Sequence, residues 1–253
     1  MGGVNRAWTQ GEYRVRFDWG PAGAEAVGAG AAVVAVVDVL SFTTTLSVAV
    51  DGGIAVRPYR WRDESAERVA RESDAVLAVG RRQAVRPGQV SLSPATVRRS
   101  AGIERLVLPS PNGATIAAGL ATAGATVIGV SLRNAAAAAV WASRRDGAVA
   151  VVAAGEHWPD GSLRPAVEDL WGAGAFLDAL VRRGAGPLSP EAEVALAAYR
   201  GIDSLGAALA ACASGRELHE HGFPEDVAIA AEVGASATVP VLVDGWFVAD
   251  SSP

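Results

Sequence analysis

The chain has 253 residues, 50% of them apolar and 19% charged, enough to bury one large α/β core or two small ones. The net charge of −5 offers no basic footprint for nucleic acid, and all 22 basic residues are arginine, which excludes Schiff-base and P-loop lysine chemistry. The single cysteine, Cys212, excludes an intrachain disulfide and a cysteine-based zinc cluster, and three scattered histidines (His157, His219, His221) do not suit a zinc site.

Residues 12–19 alternate, with Tyr13, Val15, Phe17 and Trp19 set against Arg14, Arg16 and Asp18, and read as a half-buried strand ended by Gly20-Pro21-Ala22-Gly23. The apolar run 32–37 reads as a strand buried on both faces, hence part of a parallel sheet. A helix is expected over 43–50, closed by Gly52-Gly53, then a strand over 54–59, an amphipathic helix over 63–73 and a strand over 75–80. A polar loop follows over 81–94. Residues 106–108 predict a short strand, and Ser110-Pro111 the start of a helix, with serine as N-cap and proline at the first helical position. Strands over 126–130 and 149–153 flank an alanine-rich helix over 134–143. A long helix over 167–183, a break at 184–189, a helix over 190–213 open to interruption at Gly201 and Gly206, and a short helix over 226–233 come next. Residues 239–248 around Asp244-Gly245 read as a terminal β-hairpin.

This alternation predicts the α/β class, with a largely parallel sheet, in a single domain whose one candidate boundary is 184–189. The first residues lack the apolar core of a signal peptide. The longest apolar run, 29–37, is far too short to cross a membrane, so a soluble cytoplasmic protein is expected, without membrane or nucleic-acid partners. Apolar strands and small-residue helices would allow close packing between subunits, so a homodimer is expected.

Four segments share a strand–loop–helix design: Asp38 to Thr44, Ser110 to Thr115, Ser131 to Ala135, and Ala153 to Glu156 continuing to Glu168-Asp169. If all follow strands of one parallel sheet, their loops meet at its carboxyl edge. Helix N-termini there offer unpaired N–H groups, and Arg133 adds a planar cationic fork. This suits a phosphate and a hard cation. Asp38 is the expected catalytic carboxylate and first Mg²⁺ ligand, with Glu168, or else Asp169, as the second. Ser41, Thr43, Thr44, Asn112, Gly113, Arg133 and Asn134 are the expected contacts to a small anionic phosphorylated substrate. Glu168, Asp169 or Asp226 would orient water or protonate the leaving oxygen, and Asp38 would be the nucleophile of any covalent route. Each has a plain structural reading too: Asp38, the threonines and Asp226 as caps, Asn112-Gly113 as a turn, Arg133 as a solvated side chain, and Glu168-Asp169 as acids offsetting a helix dipole. Glu156-His157 sits in a loop rich in glycine and proline, and His157 reads as solvated. No dinucleotide fingerprint or Gly-x-Ser-x-Gly elbow is present, and Leu40 stands where an Asp-x-Asp phosphatase would need its second acid.

Taken in order, Val37-Asp38-Val39-Leu40 with Thr43-Thr44-Thr45, Leu92-Ser93-Pro94, Ser110-Pro111-Asn112-Gly113-Ala114, Leu132-Arg133-Asn134-Ala135, Glu168-Asp169-Leu170 with Ala173-Gly174-Ala175, and Gly222 to Val227 leading to Val239-Pro240-Val241-Leu242 resemble the 2-phosphosulfolactate phosphatase family. The resemblance spans roughly residues 10–248. It implies a three-layer α/β/α fold and Mg²⁺-dependent hydrolysis of a 2-phosphosulfolactate-like monoester. A catalytically altered member that binds such acids without turnover is the alternative. The chain departs from the family pattern at Ser41, where arginine is common, and at Arg81, where an acid is common; Arg81 is expected to replace the lost cation from another loop.

Overall fold

The computed structural model describes residues 5–250 except 62, 85, 87 and 121–123. In chain order its elements are β1 (Val15–Trp19), α1 (Gly20–Gly28), β2 (Ala31–Val37), α2 (Phe42–Asp51), β3 (Ala55–Tyr59), α3 (Glu64–Glu72), β4 (Val76–Leu77), α4 (Pro94–Arg98), β5 (Arg105–Pro109), α5 (Gly113–Leu120), β6 (Thr126–Val130) and α6 (Ala135–Ser143). There follow β7 (Ala148–Ala153), β8 (Glu156–His157), β9 (Leu163–Arg164), α7 (Val167–Val181), α8 (Pro190–Arg200), α9 (Leu205–Ala211), α10 (Ala213–Glu220), α11 (Pro224–Ala230), β10 (Pro240–Val243) and β11 (Trp246–Ala249).

Nine strands form one mostly parallel sheet in the order β1-β7-β2-β6-β10-β11-β3-β5-β4. Side chains alternate across it. Val33, Ala35 and Val37 of β2 join one apolar cluster with α6, α7 and α8. Val34 and Val36 join the other with α1, α2, α4 and α5. The result is an α/β/α layering, because a strand apolar on both faces needs a helix layer on each.

The expected terminal hairpin is present, but it does not hang at an edge. β10 pairs with β6 and β11 with β3, all antiparallel, in the middle of the sheet. Three antiparallel steps reverse direction, so the β3-β5-β4 block runs opposite to β1-β7-β2-β6. One common carboxyl edge, as expected from the alternation, therefore does not exist. The ends of the two blocks nevertheless meet, where the Gly113 N–H after β5 donates to the Asp38 carboxylate after β2. Between them α2 packs on the sheet, its Phe42 ring meeting Phe247 of β11 with centroids 6.3 Å apart.

Several boundaries differ from the periodicity. Gly20-Pro21 opens α1 rather than ending β1, since proline at a first helical position fits a helix start. α4 lies inside the stretch expected to be loop, capped by Ser93. The 190–213 helix is broken into α8 and α9. α5 begins at Gly113, not at Pro111. The 184–189 break is pinned to β1: Val15 N–H donates to Pro187 C=O (3.1 Å) and Ser189 N–H to Val15 C=O (2.9 Å). Among the described residues no single helix is long and apolar enough to cross a membrane; α8 and α9 pass that test only together, across a 104° bend.

Two helix glycines separate packing from propensity. A Cβ at Gly174 would fall on the Ala195 carbonyl and Tyr199 Cβ of α8, whereas one at Gly119 of α5 meets nothing within 4 Å. Gly174→Ala is expected to lower unfolding free energy by about 1–3 kcal/mol through overpacking. Gly119→Ala should raise it by roughly 0.5–1 kcal/mol through helix propensity. Urea denaturation of the two variants checks both signs.

Candidate active site

Asp38 follows β2 directly, where the buried run ends, and its side chain is 4% exposed. Its Oδ1 accepts the Phe42 N–H at the start of α2 (3.1 Å), and its Oδ2 accepts the Gly113 N–H at the start of α5 (2.9 Å). Two helix N-termini thus converge on a protein carboxylate. Gly113 is required there, since a Cβ would lie 2.8 Å from Asp38 Oδ2 and 2.7 Å from the Phe42 ring. Burial holds the Asp38 carboxyl above its ordinary range, against the pull of the Gly113 and Phe42 amides.

This arrangement reassigns several expected substrate contacts. Thr43 Oγ1 donates to Asp38 C=O (2.8 Å) and accepts Asp38 N–H (3.0 Å), and Thr44 Oγ1 donates to Val39 C=O (2.7 Å). Both hydroxyls brace the turn after β2. The Gly113 amide serves Asp38. Asn134 is fully buried, with Oδ1 accepting Ser131 N–H (2.8 Å) and Nδ2 donating to Gly129 C=O (3.0 Å). Arg133 is 5% exposed and faces elsewhere, ion-paired with Asp51 (3.1 Å) and Glu232 beyond the far end of α2. It lines a different, smaller cavity. Asp51 and Glu232 lie 82 and 99 positions from it in sequence, so no local signal announces the pairing.

A cavity of about 630 Å³ opens beside Asp38. It brings together Asp38, Ser41, Arg81, Arg82, Asn112, Glu156 and His221. Glu168 and Asp169 lie behind it, 1% and 3% exposed, and neither lines it. Asp169 stitches two strand ends: Oδ1 accepts Val39 N–H (2.7 Å) and Oδ2 accepts Gly155 N–H (2.9 Å). Burial, then the charges of Asp38 and Glu168, hold its carboxyl well above the ordinary range. The Glu168 carboxyl meets the Cys212 thiol, which burial and that neighbouring charge push up to about 12. Cys212 is thus a buried, inert thiol, consistent with its apolar sequence context.

The residue the sequence reading passed over is Glu156. Gly155, with φ +67°, turns the chain sharply after β7; a Cβ there would lie 2.8 Å from Leu163. The turn aims Glu156 into the cavity, where Asn112 Nδ2 donates to its Oε2 (2.8 Å). Asn112 Oδ1 is in turn held by His157 Nδ1 (3.0 Å). Burial and then the Asp38 charge push the Glu156 carboxyl up to about 7. The signal that could have found it was its position, three residues past the end of a buried strand.

Arg81 supplies the cation. Its Nη2 donates to Ser41 Oγ (2.6 Å) and to Leu92 C=O (2.7 Å), so the guanidinium stands over Ser41. Among the described residues no group of three or more His, Cys, Asp or Glu is arranged to hold a metal.

The family model for 2-phosphosulpholactate phosphatase matches residues 23–245 of this chain. The chain belongs to that family. A protein of Deinococcus radiodurans described as a probable 2-phosphosulfolactate phosphatase is 30% identical over 218 residues, covering 84% of this chain and 88% of its own length. The matched region contains every element that lines the cavity, from Asp38 to Phe223.

Removing the Asp38 charge removes the second-largest cause of the Glu156 shift. Asp38→Asn is therefore expected to bring the Glu156 midpoint down from about 7 toward the ordinary value of 4.5. A carbon-13 carboxyl NMR titration of the metal-free protein reads this, and an unmoved midpoint would refute the juxtaposition.

Proposed function

We propose that this protein hydrolyses the phosphate monoester of a small phosphorylated hydroxy acid, 2-phosphosulfolactate or a close analogue, in the Asp38–Glu156 cavity. The observation that carries the reading is the meeting of two desolvated carboxylates and a guanidinium around one cavity, in a chain of this family. Arg81 and Arg82 are the cavity's permanent cations and would attract the substrate's anionic groups.

Magnesium is the expected cofactor, and Asp38 fits it. Magnesium needs only one or two carboxylates, completing its shell with waters and the substrate's phosphate. Each Asp38 oxygen accepts a single amide, which leaves acceptor capacity and fixes the carboxylate in place. Bound there, the ion would polarise the phosphoryl oxygens as a Lewis acid. Glu168, the second ligand expected from sequence, lines no part of the cavity, and the second carboxylate facing the substrate is Glu156.

Glu156 then acts as the general acid. Water adds to phosphorus, the bond between phosphorus and the ester oxygen breaks, and the leaving alkoxide takes the proton from Glu156. A carboxyl at about 7 is half protonated near neutrality, which suits this role. Asn112 fixes the orientation of the carboxyl.

Phosphate release from 2-phospho-3-sulfolactate, with Mg²⁺ and with EDTA, tests the proposal. Release is expected only with Mg²⁺ and should be lost in Asp38→Asn. Tight binding without release would establish the non-catalytic alternative. Glu156→Gln is expected to lower kcat by roughly 10²–10⁴-fold. Because the protonated form works, wild-type kcat/KM should fall as pH rises through the Glu156 midpoint, which an ion on Asp38 would hold below the metal-free value of about 7, and that limb should vanish in Glu156→Gln.

A further inference from the structure

Arg81 stands on the turn that follows β4, at the cavity wall, with 23% of its side chain exposed. One face of its guanidinium is tied by Nη2 to Ser41 and Leu92. On another side its Nε lies 3.5 Å from Asp226 Oδ2. Both atoms are buried, and neither has a hydrogen-bond partner. Asp226 is 1% exposed and is itself fixed: its Oδ1 accepts the Ser93 hydroxyl (2.5 Å) and the Ala95 N–H (3.3 Å) at the start of α4.

A carboxylate clamped by α4 therefore points a free oxygen at an arginine that it does not quite grip. A pair that served only stability would close to a hydrogen-bonded or bidentate contact, since buried polar atoms left unmatched are costly. The carboxylate instead sets the guanidinium's orientation by charge, while Nη1 has no hydrogen-bond partner among the described residues. The Phe223 ring, 5.9 Å from the guanidinium carbon, backs it with an apolar wall. Arg82 and His221 also line the cavity.

We propose that Asp226 is a positioning residue that aims Arg81 at a second anionic group of the substrate, a carboxylate or sulfonate close to the phosphate ester, so that the pair selects two-anion esters over simple ones. This deepens the phosphatase reading of the same cavity and rests on it. The role differs from the acid–base part foreseen for Asp226: the carboxylate does not line the cavity and acts only through the arginine.

Steady-state kinetics on 2-phospho-3-sulfolactate and on phenyl phosphate, which carries no second anion, test it in wild type, Arg81→Ala, Asp226→Asn and the double variant. In Arg81→Ala the ratio of kcat/KM between the two esters is expected to fall by roughly 10–100-fold, through KM. Asp226→Asn should lower the same ratio about tenfold, again through KM, and add nothing once Arg81 is gone. Equal loss of kcat on both esters, or an Asp226→Asn effect undiminished in the Arg81→Ala background, would mark a structural role and overturn the proposal. Should Asp226→Asn fail to fold, Ser93→Ala releases the same carboxylate and carries the same expectation. Calorimetry with 3-sulfolactate, which has no phosphate, separates this inference from the phosphatase reading. Binding lost in Arg81→Ala supports the clamp even if no ester is hydrolysed. Equal binding by both proteins overturns it even if phosphate is released.

Discussion

The Asp38 carboxylate, bonded at once to the first amides of α2 and α5, is the contact on which the site depends. The strand pairings make the two parallel blocks run in opposite senses, and the bond from Gly113 to Asp38 ties the end of β5 to the end of β2 across that reversal. Asn112 is adjacent to Gly113, so the same bond places the amide that holds Glu156. Moving Asp38 would move the acid, its orienting amide and the two helix starts together.

The electrostatics follow from that clustering. Burial raises the proton affinity of Asp38, Glu156 and Asp169, and the neighbouring charges of Asp38 and Glu168 add to it. Backbone amides offset part of the cost at Asp38 and Asp169, and Arg81 offsets another part at Asp38. Glu156 is offset by the neutral Asn112 amide and the charge of Arg164, and stands at about 7.

The helix starts carry a related lesson. Sequence reasoning placed phosphate at these N-termini because unpaired amides attract anions. The anion they attract is the protein's own carboxylate. Recognition of the ligand then falls to side chains reaching in from more distant loops, chiefly Arg81, whose guanidinium comes to rest on Ser41, 40 positions away in sequence.

The sequence by itself determined the strands of the main sheet, most helices and the class, because burial on two faces and helical period are local signals. The 126–130 strand and the start of the long helix at Val167 coincide with the structure. α1 was hidden because glycine and proline read as a break, although proline suits a first helical turn. Only the tertiary structure decided which polar groups face the cavity. Arg133 was turned away by acids 82 and 99 positions distant, Glu156 was turned inward by one left-handed glycine, and Asp226 was joined to Ser93 across 133 positions. A local pattern states how deeply a side chain is buried; its direction at the end of a strand is set by bonds to chain that the pattern does not contain.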